Sequence, residues 1–370
     1  MNKAVKKLYL KRTLSVLLMV FVTIFCLKMA GTLVRKKHYN TDEAGNIYFD
    51  PGFHPGHGII EGLYHLPEDT LDVVYLGSSH SFCSISPLEI WKQQGITGYN
   101  VSTSAAKVWQ SYYLLEEAFR TQHPKVVALE VLRLESQEPQ QEAFNRESLD
   151  DMKWGKAKIG LIRTSLRKNP DGEYALSYLF PVLRYHDRWN ELSELDYGYF
   201  SQPGDNLPKG YVAILSSNTE HRYNYKAYET TEPDAELPQE NKDWLDRIKA
   251  LCEEHGASLI LYYAPAVTIT NPDRSLVISK YADERGIPFL DFNTDYELRQ
   301  ETGIDYYADI ASDGGHMNLS GATKLSDYMG EYIAKNYGLT DKRQDPAYAS
   351  WNTDYEEFQR VLEESSSAES

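Results

Sequence analysis

Residues 13–34 read TLSVLLMVFVTIFCLKMAGTLV, a run of 22 residues with a single charge, Lys28. A bilayer core needs about 20 apolar residues in a helix, so this run is long enough to cross one, and Lys28 stands where its stem can snorkel toward an interface. Five basic residues precede the run (Lys3, Lys6, Lys7, Lys11, Arg12) and three follow it (Arg35, Lys36, Lys37). The excess in front favours a cytoplasmic N-terminus. A cleaved signal peptide is the rival reading, yet Lys28-Met29-Ala30-Gly31 is a poor small-x-small site. A buried soluble helix does not fit between such dense basic flanks. The expectation is a cytoplasmic basic segment and uncleaved anchor over residues 1–38, a single pass through the cytoplasmic membrane, with the C-terminal domain extracytoplasmic.

The anchor also accounts for the charge. The first 38 residues hold nine of the 38 basic residues and no acid, which leaves 29 basic against 54 acidic residues, a net −25, in the rest. A body that acidic repels a phosphate backbone, so nucleic acid is not an expected partner. With 370 residues, 42% of them hydrophobic and only 3 Cys, the chain is neither disordered nor a disulfide framework. Cys26 falls in the anchor; Cys83 and Cys252 can pair but show no framework spacing and read as buried thiols.

Residues 39–70 are rich in Gly, Pro and His without a helical period and read as a juxtamembrane connector. His54, His57 and His65 within it match no metal-ligand spacing. From residue 71 the pattern changes. Leu71–Leu76, Gly98–Val101 and Lys125–Val131 read as strands, with helices from Pro87 and over 105–122 between them. The same grammar resumes with a helix over 241–255, a strand over 257–263, a helix over 275–285, a strand over 287–291 and a last helix over 320–337. Short apolar strands alternating with helices predict an α/β fold, a doubly wound, mostly parallel sheet flanked by helices. It occupies residues 71–340, interrupted at about 136–238 by an insertion that covers the active face or engages a partner. The insertion contains Arg184-Tyr185-His186-Asp187-Arg188-Trp189, which suits sugar stacking or a charged acceptor and equally suits a surface helix with snorkelling Arg. The tail, 341–370, has one amphipathic stretch, 355–362, and a Ser/Glu end expected to be unstructured.

In such a sheet, ligands bind beyond the carboxyl ends of strands. The first strand delivers Gly77-Ser78-Ser79-His80-Ser81, a turn that can lift one hydroxyl into the crevice, with amides behind it to receive an oxyanion. A serine needs a base that titrates near neutrality, and imidazole supplies one. Asp313-Gly314-Gly315-His316, just ahead of the last helix, offers that base with an acid able to turn back and fix its tautomer. Read alone, the turn is equally a cap or a metal site. Asp309 competes as the acid, but Asp313 is nearer His316 in the chain. No Gly-rich phosphate loop or ligand cluster is present, so no cofactor and no metal are expected.

These two ends of the chain resemble the SGNH (GDSL-type) hydrolase superfamily. Asp313-Gly-Gly-His316-Met-Asn318-Leu-Ser-Gly321-Ala322 resembles the stretch found in its membrane-anchored, DltD-like and alginate-O-acetylation-like branch, whose members serve cell-envelope acyl transfer. The resemblance covers roughly residues 71–135 and 240–337. It implies that Ser79 is the nucleophile, His316 the general base and Asp313 its orienting acid. The chain departs from the ordinary hydrolases in having Ser78 where they place Asp, Ser102 where they place an oxyanion Gly, and Glu130-Val131-Leu132-Arg133 where they place Gly-x-Asn-Asp. The backbone amides of Ser79 and Ser102 remain candidate oxyanion donors, with Asn100 or Arg133 as substitutes for the absent side chain. His80 and Asn318 are further candidates for substrate contact.

The expected function is a serine O-acyltransferase or carbohydrate esterase acting on acetyl or D-alanyl-like groups of a cell-envelope polysaccharide or teichoic-type polymer. A polytopic membrane acyltransferase is the implied partner. Plain deacetylation uses the same residues with water as acceptor. A non-catalytic polymer-binding or scaffold protein on the same fold is the alternative from another class.

Overall fold

The computed structural model describes residues 3–35, 58–169, 174–192, 196–197, 207–217, 234–267 and 272–368, together with the backbone of 40–41 and 47–48, which pair antiparallel. His54 and His57 lie outside the described residues. The chain divides into two compact units, one of Met1–Lys37 with Gly172–Pro203, the other of His38–Asp171 with Gly204–Ser370. The stretch expected as a single insertion is therefore shared between them.

The first unit contains helix α1 (Lys3–Val34), whose apolar side chains are exposed over most of its length. It is one helix long and apolar enough to cross a membrane. In the second unit, α2 (Ile59–His65) forms within the stretch expected to be an irregular connector. Its apolar residues lack a long period, but Ile59, Ile60 and Leu63 are buried, and Tyr99 Oη donates to the Ile59 carbonyl at 2.8 Å. Tertiary burial, rather than local pattern, makes this helix.

Five parallel strands form the sheet: β1 (Val73–Leu76), β2 (Gly98–Asn100), β3 (Val126–Glu130), β4 (Ser258–Tyr263) and β5 (Phe289–Asp291), in the order 2-1-3-4-5. All but two of these residues are buried, which explains why the strands read as unbroken apolar runs rather than as alternating ones. Successive side chains point to opposite faces. Val73, Tyr75, Val126, Ala128, Ile260 and Tyr262 thus share one core with Ile90, Leu325 and Met329.

Between β1 and β2 lie the short α3 (Ser79–Phe82) and α4 (Pro87–Gln94). α4 starts where sequence rules place it, with Pro87 at the first turn and the Ser86 hydroxyl accepting from the Glu89 amide. α5 (Val108–Ala118) joins β2 to β3. The long excursion after β3 contains α6 (Glu142–Leu149) and α7 (Lys156–Lys168) in this unit, and α8 (Ala175–Leu179) and α9 (Val182–Tyr185) in the first. α10 (Gln239–Glu254) returns to β4, and α11 (Pro272–Arg285) leads to β5. α12 (Tyr296–Thr302) and α13 (Leu319–Tyr337) follow. α4 and α13 cover one face of the sheet, α5 and α10 the other.

The tail differs from expectation. α14 (Ala349–Ala368) is a single long helix packed on α4. Trp351 lies 5.5 Å from the Trp91 ring, Trp91 Nε1 donates to Asn352 Oδ1 at 3.0 Å, and Phe358 and Leu362 are buried.

Candidate active site

The strand order reverses between β1 and β3, and the turn after β1 opens at that point. Gly77 has φ +145°, and a Cβ there would lie 2.7 Å from the Glu130 Cβ at the end of β3. Only glycine lets the two strand ends come this close. Ser78 then caps α3 through its hydroxyl, and Ser79, half-buried, is the first residue of that helix.

The other component comes from 237 positions further along the chain. Ile310 and Met317 pair antiparallel, Ala311 N donates to the His316 carbonyl at 2.8 Å, and Val267 N reaches the Gly314 carbonyl at 2.9 Å. This tight loop presents His316 Nε2 at 2.8 Å from Ser79 Oγ. On the far side of the ring, Nδ1 lies 2.5 Å from Asp313 Oδ2. Asp313 Oδ1 accepts from the amides of Gly315 and His316 at 2.8 and 3.0 Å. Burial pushes the Asp313 carboxyl up, but the His316 ring and these two amides more than offset it and hold the group well below the usual carboxylate range. An ionised Asp313 fixes Nδ1 as the protonated nitrogen, leaving Nε2 to accept the serine proton. Asp309, the competing acid, is engaged elsewhere, with Lys324 Nζ at 2.5 Å and Ser320 Oγ at 2.7 Å.

His80 is buried, and its ring stacks on His316 with centroids 4.4 Å apart and planes at 28°. Burial, and then the charge that His316 acquires on protonation, push His80 well below the usual imidazole range, against a weaker pull from the Gly315 backbone. It is a neutral platform under the His316 ring. Neither ring nitrogen of His80 meets a hydrogen-bond partner in good geometry among the described residues.

The amides of Ser79 and Ser102 donate to no acceptor among the described residues, whereas neighbouring amides do: Ser81 N and Phe82 N to the Ser78 carbonyl, Val101 N to the Tyr75 carbonyl, Thr103 N to the Gly77 carbonyl. The last of these bonds, 3.4 Å long, sets the loop after β2 against the turn after β1. Two undirected donors flanking the serine are what an oxyanion requires. Asn100, expected as an oxyanion substitute, has no exposed surface, while its Nδ2 meets no acceptor among the described residues. It is fully buried, and its Oδ1 accepts from Ser102 Oγ at 2.5 Å and Ser81 Oγ at 3.2 Å, which ties the two loops together. Tyr262 Oη extends this network by donating to Ser81 Oγ at 2.9 Å. Asn318 likewise serves structure. It caps α13 through the Gly321 amide at 3.1 Å and donates to the Ala308 carbonyl at 2.7 Å. Arg133 follows β3 on the exposed rim, and its guanidinium makes no ion pair among the described residues.

Several supporting residues escaped the sequence reading. Glu130, buried at the end of β3, accepts from Leu132 N at 3.0 Å and Ser78 Oγ at 3.4 Å. Burial lifts its carboxyl to about 7, against the opposing pull of the Leu132 amide, Arg274 and Ser78. Glu147 on α6 accepts from Thr103 Oγ1 and Ser104 N at 2.9 and 2.8 Å, bracing the loop that carries Ser102. Residues 207–217 run as a strap along the site. Asn100 N donates to the Lys209 carbonyl (2.9 Å), Val212 N to the Phe82 carbonyl (2.8 Å) and Leu319 N to the Ile214 carbonyl (2.8 Å), while Ser216 Oγ lies 3.1 Å from Ser312 Oγ. The strap thus fastens the end of β2, α3 and the start of α13. Polar groups paired only through the fold leave no local signature. No group of three or more His, Cys, Asp or Glu side chains placed to hold a metal occurs among the described residues. Cys83 and Cys252 are free and buried.

No family model and no curated protein matches the chain. Among solved structures, it is similar to a Bacteroides fragilis protein described as a "putative acylhydrolase", with 12% identity and a TM-score of 0.35 over 75% of this chain and 95% of that one. A likeness at that score carries no weight for function.

Proposed function

We propose that this chain is a membrane-anchored serine acyltransferase or esterase of the SGNH type. One observation carries the reading: an imidazole lies between Ser79 Oγ and Asp313, bonded on its two opposite nitrogens. Ser79 Oγ attacks an acyl ester carbonyl as its proton passes to His316 Nε2, and ionised Asp313 stabilises the imidazolium. Negative charge on the tetrahedral oxygen falls to the amides of Ser79 and Ser102. The C–O bond to the leaving alcohol breaks, that alcohol takes the proton from His316, and Ser79 carries the acyl group. An acceptor hydroxyl, or water, then attacks the ester, gives its proton to His316 and releases Ser79, which takes the proton back.

The amides of Ser79 and Ser102 are the two donors left undirected beside the serine, and loss of one donor costs about 10²–10³ in rate. Those donors serve attack by water and by a hydroxyl alike, so transfer prevails over hydrolysis where an acceptor hydroxyl is held in place against the ester. Anchored by α1 with its catalytic domain outside the cytoplasmic membrane, the enzyme would serve a cell-envelope polysaccharide or teichoic-type polymer and receive its acyl group through a polytopic membrane partner. A serine-reactive fluorophosphonate should label the full chain, and Ser79→Ala should abolish labelling. Persistent labelling would place the nucleophile elsewhere, and an unlabelled wild type would favour the non-catalytic alternative. Acetyl ester turnover with and without an added sugar acceptor separates transfer from hydrolysis.

A further inference from the structure

α8, α9 and the short 3-10 helix His186–Asn190 belong to the same compact unit as α1, and the proposed chemistry leaves them unused. Their outer surface is apolar. Tyr174, Leu176, Leu179, Leu183 and Trp189 are between 39% and 63% exposed, an unusual density of large apolar groups in so short a stretch.

Contacts at the end of α1 fix where this surface lies. A Cβ on Gly31 would sit 3.1 Å from the Pro181 ring and 3.2 Å from the Val182 amide nitrogen, so the glycine lets α9 lie directly against the helix. Arg188 Nη1 donates to the Val34 carbonyl at 2.7 Å, satisfying one of the carbonyls that a helix end leaves open, and Arg188 Nη2 pairs with Asp196 at 3.3 Å. A helix rises about 1.5 Å per residue, so a hydrocarbon core about 30 Å thick takes about 20 residues. Counted from Thr13, the core ends near residue 32. Gly31 and Val34 therefore stand at the headgroup boundary, and the segment docked on them shares that depth. Leucines with a Tyr and a Trp at the flanks, and arginines held beside them, are the composition of a helix that lies in an interface plane.

We propose that residues 174–192 are an interfacial element whose leucines and Trp189 insert among the headgroups and upper acyl chains of the membrane that α1 crosses. This rests on the anchor reading and extends it. The contact fixes the tilt and rotation of α1, which a single apolar span leaves free. The occupant is lipid rather than a protein because the surface adjoins the exposed, lipid-length face of α1 and bears the aromatic rim typical of that boundary.

The test uses the full chain in phosphatidylcholine–phosphatidylglycerol vesicles whose acyl chains are brominated near the headgroup. Trp189 is 63% exposed, so Trp189→Phe leaves the fold intact, and circular dichroism checks this. Brominated lipid should quench wild-type tryptophan emission, and the substitution should reduce the quenchable part at least twofold. Alkaline carbonate extraction of the wild type runs in parallel. Resistance to carbonate with no loss of quenching in Trp189→Phe would keep the anchor and overturn the interfacial element, leaving the surface to a protein partner. Release of the wild type by carbonate would overturn both.

Discussion

Lys209 and Asp354 offer the sharpest quantitative test of how the site is supported. Lys209 Nζ lies 2.7 Å from Asp354 Oδ2 on α14, with the two side chains 3% and 22% exposed, and the ammonium sits 5.4 Å over the Trp351 ring. The Lys209 carbonyl is the one that receives the Asn100 amide. Breaking a buried pair costs about 3–5 kcal/mol when it leaves an uncompensated charge away from water. The two halves of this pair are not equivalent. Asp354→Asn leaves an ammonium that is almost wholly enclosed, so a loss of about 3 kcal/mol is expected, only partly relieved by the Trp351 ring. Lys209→Met leaves a carboxylate that already reaches solvent and fills the volume of the lysine stem, so the loss should be about 1 kcal/mol. Urea denaturation of the detergent-solubilised full chain, followed by tryptophan emission, measures both. Fluorophosphonate labelling of Ser79 should slow more in Asp354→Asn than in Lys209→Met. Equal losses, or a larger loss from Lys209→Met, would refute the claim that the lysine is the enclosed partner.

Three further outcomes are expected. The Glu130 carboxyl is raised to about 7 by burial, so it favours the neutral form in the folded state. Its contribution is therefore complete below the unfolded value near ~4.3 and declines as pH rises toward about 7, a loss of about 3 kcal/mol by pH 8. In Glu130→Gln that decline should vanish from denaturation curves collected between pH 4 and 8. Gly77→Ala combines a left-handed backbone with a Cβ 2.7 Å from that of Glu130, and should destabilise the domain by about 3 kcal/mol and suppress labelling, read by melting temperature and label incorporation. His80→Ala removes the neutral ring beneath the His316 cation, a contact worth about 1 kcal/mol. The acylation rate should drop about five- to tenfold with KM unchanged, measured by ester turnover.

Much of the sheet was legible because its strands are short, apolar and bounded by Gly or Pro, and its helices carry ordinary caps. The pairing of His316 with Asp313 was legible because a base and an acid three residues apart form a local pattern. The mutual position of Ser79 and His316 was not, since it depends on how β1 and the loop ahead of α13 meet. The supporting groups were hidden for the same reason. Glu130 reads as one more strand residue, and Lys209 as a loop cation; only the fold encloses them. The amphipathic stretch 355–362 was legible, whereas the start of α14 at Ala349, which rests on Trp351 packing against Trp91, was not. Asn100 was legible as a polar residue at a strand end, but its burial turns it from a contact for substrate into a tie between loops.

The strap joins segments far apart in the chain: Lys209 receives the Asn100 amide on its carbonyl and pairs with Asp354 through its ammonium. Synthesis runs from the N-terminus, so Lys209 lacks this counter-ion until α14 has been made. Asn100 N, the Lys209 carbonyl, Lys209 Nζ and Asp354 thus form one line of contacts, along which any loosening of α14 is passed to the end of β2.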